Sequence, residues 1–215
     1  PTRLAPLQKG FTENVNPSVE LSETKNVRWK LPLPGKGHSS PIVLGDRVFL
    51  LVAAPIGDPQ KPVFDSAPGV HDSVPVDHRF QYSVMAVGRS NGKILWQTVV
   101  REEFPHEGGH ATGSPVSNSP ITHGTMLYAF FGSRGLFVYT MDGKPAWQKT
   151  FSPMKMRLGF GEGTAPVLHE NTVLLGFDQE EGSYLLALDK TTGKQLWKVD
   201  RDEPSAWAQP LVLTH

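Results

Sequence analysis

Hydrophobic residues in this chain come in short runs cut off by glycine or proline, several of them alternating with polar neighbours. Val27, Trp29 and Leu31 alternate with Arg28 and Lys30, the period of a half-buried strand rather than of a helix. Thr172–Phe177 and Tyr184–Asp189 are nearly continuous apolar runs of strand length, which predicts two buried strands. Lys190-Thr191-Thr192-Gly193-Lys194 follows as a hairpin turn, its glycine at the position that needs a positive φ. Gln195–Val199 then reads as an outer strand. Asp189 is placed to accept hydrogen bonds from the turn amides. The equivalent turn shortens to Asp142-Gly143 in one earlier segment, and another has Gly88 where this one has Asp189.

This pattern occurs three times. Ser40-Pro41-Ile42-Val43 leads to Asn91-Gly92-Lys93-Ile94-Leu95-Trp96. Ser119-Pro120-Ile121-Thr122 leads to Asp142-Gly143-Lys144-Pro145-Ala146-Trp147. Ala165-Pro166-Val167-Leu168 leads to Thr192-Gly193-Lys194-Gln195-Leu196-Trp197. The last three closing tryptophans are roughly 50 residues apart, within the range of propeller blades. The first copy is longer because a segment from about Ala54 to Phe80 interrupts it. The predicted fold is therefore all-β, a partial β-propeller of three four-stranded antiparallel blades at about 40–101, 119–152 and 165–200. Single strands of flanking blades are expected at about 27–31 and 209–214, after a patternless N-terminal extension over 1–26 that reads as a strap or tail. Three blades leave two sheet edges open, whereas propellers close with about four to eight. The sequence thus reads as a piece of a longer propeller, the alternative being a small domain that closes by dimerising.

Composition narrows the classes. The chain has 21 glycines and 19 prolines in 215 residues, well above the usual share of about 12%, which suits many short strands and disfavours long helices. Formal net charge is zero and no basic stripe is visible, so nucleic acid is not an expected partner. No apolar run approaches a membrane span. There is no cysteine, hence no disulfide and no thiolate metal site.

A residue repeated in every unit is architecture, so Trp29, Trp96, Trp147 and Trp197 are read as rings wedged between consecutive sheets. Candidate chemistry lies outside the repeat. His106-Glu107-Gly108-Gly109-His110 fits the zinc-protease spacing, which needs a helix, but its two glycines and nearby Pro105 and Pro115 favour a surface loop. His106 and His110 stay as weak metal candidates. The insertion adds His71, Asp72, Asp77 and His78, with Asp58 and Asp65 nearby, as oxygen and imidazole donors or as a mobile loop. Residues just before the inner strands would ring a channel mouth: His38, Ser39, Asn118, Glu162, Thr164, Trp207 and Gln209. They suit a small ligand or a partner's loop, or else satisfy strand ends and channel waters.

The phrase Ala187-Leu188-Asp189-Lys190-Thr191-Thr192-Gly193-Lys194-Gln195-Leu196-Trp197 resembles the tryptophan-docking motif of the PQQ-like β-propeller repeat family. The resemblance runs from about Val27 to His215. It is nearest to exported bacterial propellers with phrases like Phe131-Gly132-Ser133-Arg134-Gly135-Leu136 and Arg201-Asp202-Glu203-Pro204-Ser205-Ala206-Trp207. WD40 propellers share the period, but here each repeated tryptophan precedes Gln or Lys. The resemblance implies a periplasmic or cell-envelope location in a bacterium and two functional readings. One is a non-catalytic scaffold that offers loops or a channel mouth to a protein partner or ligand, completed by the rest of a propeller. The other is part of a dehydrogenase holding pyrroloquinoline quinone over calcium, with Glu162 and Asn118 as conceivable ligands; the family's usual stacking ring of adjacent cysteines has no counterpart here. A propeller fused to a kinase or other signalling module is a third possibility.

Overall fold

The structure is a computed structural model and describes residues 16, 18–62 and 72–213. His71 and Asp65 lie outside the described residues. Fourteen strands follow one another along the chain. They are β1 (Ile42–Leu44), β2 (Arg47–Ile56), β3 (Ser73–Val74), β4 (Arg79–Gly88) and β5 (Ile94–Glu103). Next come β6 (Gly109–His110), β7 (Ile121–His123), β8 (Met126–Phe130), β9 (Leu136–Thr140) and β10 (Pro145–Lys149). The last four are β11 (Val167–His169), β12 (Thr172–Phe177), β13 (Tyr184–Asp189) and β14 (Gln195–Asp200).

Three four-stranded sheets result, ordered β1-β2-β4-β5, β7-β8-β9-β10 and β11-β12-β13-β14, with a two-stranded ribbon of β3 and β6 beside the first. Every neighbouring pair is antiparallel. These are propeller blades, each a meander whose last strand is followed by the first strand of the next. Residues 27–31 and 209–213, expected as flanking strands, are not strand, because among the described residues no neighbour offers them a ladder. No described helix is long and apolar enough to cross a membrane.

Packing follows the period of two. In β8, Leu127 and Ala129 join the core shared with the first sheet (Phe49, Leu51, Val84), while Tyr128 and Phe130 join the core shared with the third (Val173, Leu175, Leu188). In β9, Phe137 and Tyr139 face one way, Leu136 and Val138 the other. The inner strands β8 and β9 of the middle sheet are buried on both faces, which is why they are nearly continuous apolar runs instead of alternating.

The tryptophans contact the following blade in a more specific way than a ring filling a wedge. Trp29 Nε1 donates to Arg89 O (2.8 Å), Trp96 to Met141 O (2.9 Å) and Trp147 to Lys190 O (3.2 Å). Each ring lies on a turn glycine of that blade. A Cβ at Gly143 would come within 2.7 Å of Trp96, and one at Gly193 within 2.5 Å of Trp147. These glycines also hold φ of 80° and 71°, so both backbone conformation and close approach require them. In the third blade Asp189 Oδ1 accepts from Thr191 N, Thr192 N and Thr192 Oγ1 at 2.8–3.0 Å, as the sequence suggested.

Candidate functional site: a cavity beside the first blade

A cavity of about 340 Å³ opens where the first sheet, the β3–β6 ribbon and the loop after β10 meet. Ala53 and Pro55 of β2, Phe80 of β4, and Val74, Pro75 and Val76 form an apolar wall. Its polar side is built from three other segments. The stretch from Pro105 supplies His106, Glu107 and His110; the short 3-10 turn Gly132–Arg134 supplies Arg134; the loop before β11 supplies Glu162.

That last loop is held on two sides. His110 N donates to Phe160 O (3.2 Å) and Trp207 Nε1 to Gly161 O (2.8 Å). Glu162 is thereby aimed at the turn after β8, where it accepts from Ser133 N and Ser133 Oγ, both at 2.5 Å. His106 Nε2 lies 3.3 Å from Glu162 Oε1 and 2.9 Å from Met154 O. A carbonyl only accepts, so the imidazole proton sits on Nε2. Burial pushes the His106 pKa down, outweighing the attraction of Glu162, and the ring is neutral at pH 7.

Two groups here were not singled out from the sequence. Arg134 is buried; its guanidinium lies 4.7 Å over the Tyr82 ring, with Nε 3.2 Å from Glu103 Oε1 but lacking hydrogen-bond alignment. Glu107 is only 7% exposed. Its Oε2 accepts from Met156 N (3.1 Å), while its buried Oε1 has no partner among the described residues. Burial, reinforced by the nearby Glu162 charge, raises the Glu107 pKa to about 7. The only hint of Glu107 in the sequence was its place inside the zinc-like spacing, which says nothing of its burial. Arg134 stood in the sequence only within the family-like phrase Phe131–Leu136, which did not reveal its burial, because packing decides which arginine is drawn inward.

The cavity gathers five of the expected residues: Asp77, His78, His106, His110 and Glu162. Asp77 Oδ1 and His78 Nδ1 pair at 2.7 Å. His110 instead bonds Thr112 Oγ1 (2.8 Å) and meets the Phe160 ring edge-on. The two histidines of the zinc-like spacing therefore serve different partners, on coil and strand rather than on a helix. Asp72 is exposed, its carbonyl accepting from Ala111 N (2.6 Å); Asp58 is exposed as well. No group of three or more metal-binding side chains occurs among the described residues. The remaining channel-mouth candidates lie off the cavity lining. His38 is held through its backbone N by Ser114 Oγ (2.9 Å). Thr164 Oγ1 donates to Ala208 O (3.1 Å), and Gln209 is exposed. Ser39 Oγ and Asn118 Nδ2 are buried without partners among the described residues.

A family model described as outer membrane protein assembly factor BamB matches residues 14–153 and, in a second overlapping match, 80–212. The chain belongs to this family of PQQ-like propeller repeats. No curated protein matches it. Among solved structures, this family member is similar to BamB from Moraxella catarrhalis, at 14% identity and TM-score 0.42, over 85% of this chain and 54% of that one. It is also similar to the quinohemoprotein alcohol dehydrogenase ADHIIG from Pseudomonas putida HK5, at 16% identity and TM-score 0.48, over 80% and 22%. A europium-containing methanol dehydrogenase aligns at 13% identity and TM-score 0.46, over 74% and 24%. The chain thus spans about half or less of the length of each.

The quinone and calcium of the dehydrogenase branch can be tested against the residues present. Glu162 Oε2 and Asn118 Oδ1 both face Gly132, so the two conceivable calcium ligands are brought together. Yet Glu162 already accepts two hydrogen bonds from Ser133 and lies against His106, and no group of three or more carboxylate or imidazole side chains able to hold a metal occurs among the described residues. This donor set does not fit the pair, and no step is derived through it.

Proposed function

We propose that this PQQ-like propeller is a non-catalytic binding module, in which rigid blades present the cavity beside the first sheet to a ligand or to a segment of a protein partner. The observation that carries this reading is the cavity itself, about 340 Å³, with Val74, Pro75, Val76 and Phe80 as an apolar wall and His106, Glu107, Arg134 and Glu162 converging on its polar side. The titratable neighbours support binding over turnover: Glu162 and His106 are spent on Ser133 and Met154, which hold the loops in place. The blade-to-blade tryptophan contacts serve as docking points that keep this frame rigid. The family model's description, an outer-membrane assembly factor, supports an exported, cell-envelope setting in a bacterium and a protein partner there. Both are part of this proposal.

The competing reading is a quinone-dependent dehydrogenase. Incubation with calcium and pyrroloquinoline quinone, followed by dialysis, separates the two. The binding module leaves no retained chromophore and no dye-linked alcohol oxidation. A stoichiometric chromophore with alcohol oxidation would overturn it.

A further inference from the structure

A second hollow, about 440 Å³, lies between the second and third sheets, lined by none of the residues of the cavity beside the first. Its floor is apolar. Phe151, Phe177 and Tyr184 form a run of rings with centroids 4.8 and 4.6 Å apart, Tyr184 stacked on Phe177, and Leu186 is buried in the same core. The Lys198 ammonium stands over the Tyr184 ring, 4.4 Å from its centroid. Lys149, the last residue of β10, is half-buried and its ammonium has no ion pair among the described residues. The lining includes no carboxylate. The acids around Gln179 in sequence, Asp178, Glu180 and Glu181, already bond Arg201, Ser205 and Lys155. Two cations, one from each blade, thus border an aromatic floor without an acid of the lining to match them. They stand on β10 and β14, the outermost strands of their sheets, whose outer N–H and C=O groups have no ladder partner among the described residues.

We infer that this groove docks an extended acidic segment of a protein partner, with an Asp or Glu side chain against Lys149 and Lys198 and its apolar neighbours on Phe151, Tyr184 and Leu186. A carboxylate is the complementary charge, and a half-buried ammonium gains more from it than a fully solvated one. Asp200 Oδ1 lies 2.9 Å from Lys198 Nζ, but its side chain is 85% exposed, and a surface pair of that kind contributes little that a docked acid would have to replace. The apolar floor favours a segment with apolar side chains over a bare anion. Free strand edges can bond the backbone of an extended chain, and the volume is within the range of ligand sites.

Calorimetric titration of the full chain with the end-blocked pentapeptide Gly-Leu-Glu-Leu-Gly tests the assignment, beside analogues with Gln or Lys at its centre, sodium acetate and inorganic phosphate. The acidic peptide is expected to bind saturably, the Gln analogue at least fivefold more weakly, and the Lys analogue, acetate and phosphate more weakly still. Affinity should fall as salt rises from about 50 to about 300 mM, a readout that needs no variant. Lys198→Gln, a change at an exposed position, and Lys149→Gln should each weaken the acidic peptide at least threefold and leave the Gln analogue unchanged. Equal binding of the Glu and Gln peptides, a salt-independent affinity, acetate or phosphate binding as tightly as the peptide, no loss in the folded Lys198→Gln variant, or no saturable binding of the acidic peptide would each overturn the proposal. None of these outcomes depends on quinone retention, so the groove and the binding-module reading of the first cavity stand or fall separately.

Discussion

The second and third sheets are written in the same repeat, yet they live in different surroundings. In the second, Leu127–Phe130 and Leu136–Tyr139 are all buried, their side chains split between two cores. In the third, β12 and β13 pack inward, but every residue of β14 is exposed, Leu196 at 49% and Val199 at 55%. The tryptophans follow suit. Trp147 lies on Gly193 and bonds Lys190 O, whereas Trp197, at the matching position, is 42% exposed. A motif residue thus acquires its energetic worth from the neighbouring blade rather than from its own, as expected where stability is the sum of units and interfaces.

That contrast is sharpest under truncation. Phe130 is fully buried against Phe177 and Phe151, and Phe130→Ala should cost about 3–5 kcal/mol, read as a lower midpoint in denaturant. Gly193→Ala should cost about 1–3 kcal/mol, because the new methyl strikes Trp147 while φ is positive. If the double variant Gly193→Ala/Trp147→Ala were no more tolerant of the methyl than Gly193→Ala alone, backbone conformation rather than ring contact would be the cause. A midpoint unchanged by Phe130→Ala would show that the two cores are not the structural unit.

The same contrast marks what the sequence made legible. Strands and hairpin turns were readable because period, turn glycines and Asp189 all act locally. The three sheets follow from those signals and the repeat. The partner of each tryptophan was only half readable: the ring's importance came from repetition, but its seat on the next blade's glycine joins residues far apart in sequence, such as Trp147 and Gly193. The cavity was least legible. His106, His110, Asp77, His78 and Glu162 stood out as residue types, but Arg134 and Glu107 gained meaning only when three distant segments converged and buried them. His106 and His110 share a zinc-like spacing, but their separate partners, Met154 O and Thr112 Oγ1, depend on the path of the loop and could not be read from that spacing.

Cavity and core also differ in how they respond to pH. The Glu107 carboxyl titrates near 4.5 when solvated and near 7 when folded. Between those values the folded protein keeps a proton that the unfolded chain has released. Rising pH therefore favours unfolding across this window, and stability falls from about pH 4.5 to about pH 7. Glu107→Gln removes this contribution, so denaturation midpoints of the two proteins should converge at the acid end and separate toward neutrality, with the variant the more stable. Parallel curves for the two proteins would show that Glu107 is solvated, and the cavity wet, in solution.

Trp197 carries the smallest expected effect and the most informative one. Its indole has no acceptor on a following turn and no glycine beneath it among the described residues. Trp197→Ala therefore removes a ring that keeps much of its water on folding, and stability should change by about 0.5 kcal/mol or less. Trp147→Ala, which takes away the half-buried ring and its bond to Lys190 O, should cost about 2 kcal/mol. Equal losses at the two positions would mean that the face of the third sheet is covered in solution. A second copy of the chain as the cover would make the thermal midpoint rise with protein concentration, and Trp197→Ala would abolish that rise. A concentration-independent midpoint together with a small loss leaves the asymmetry between the two sheets in place, with the blade interface, not the tryptophan, as the stabilising element.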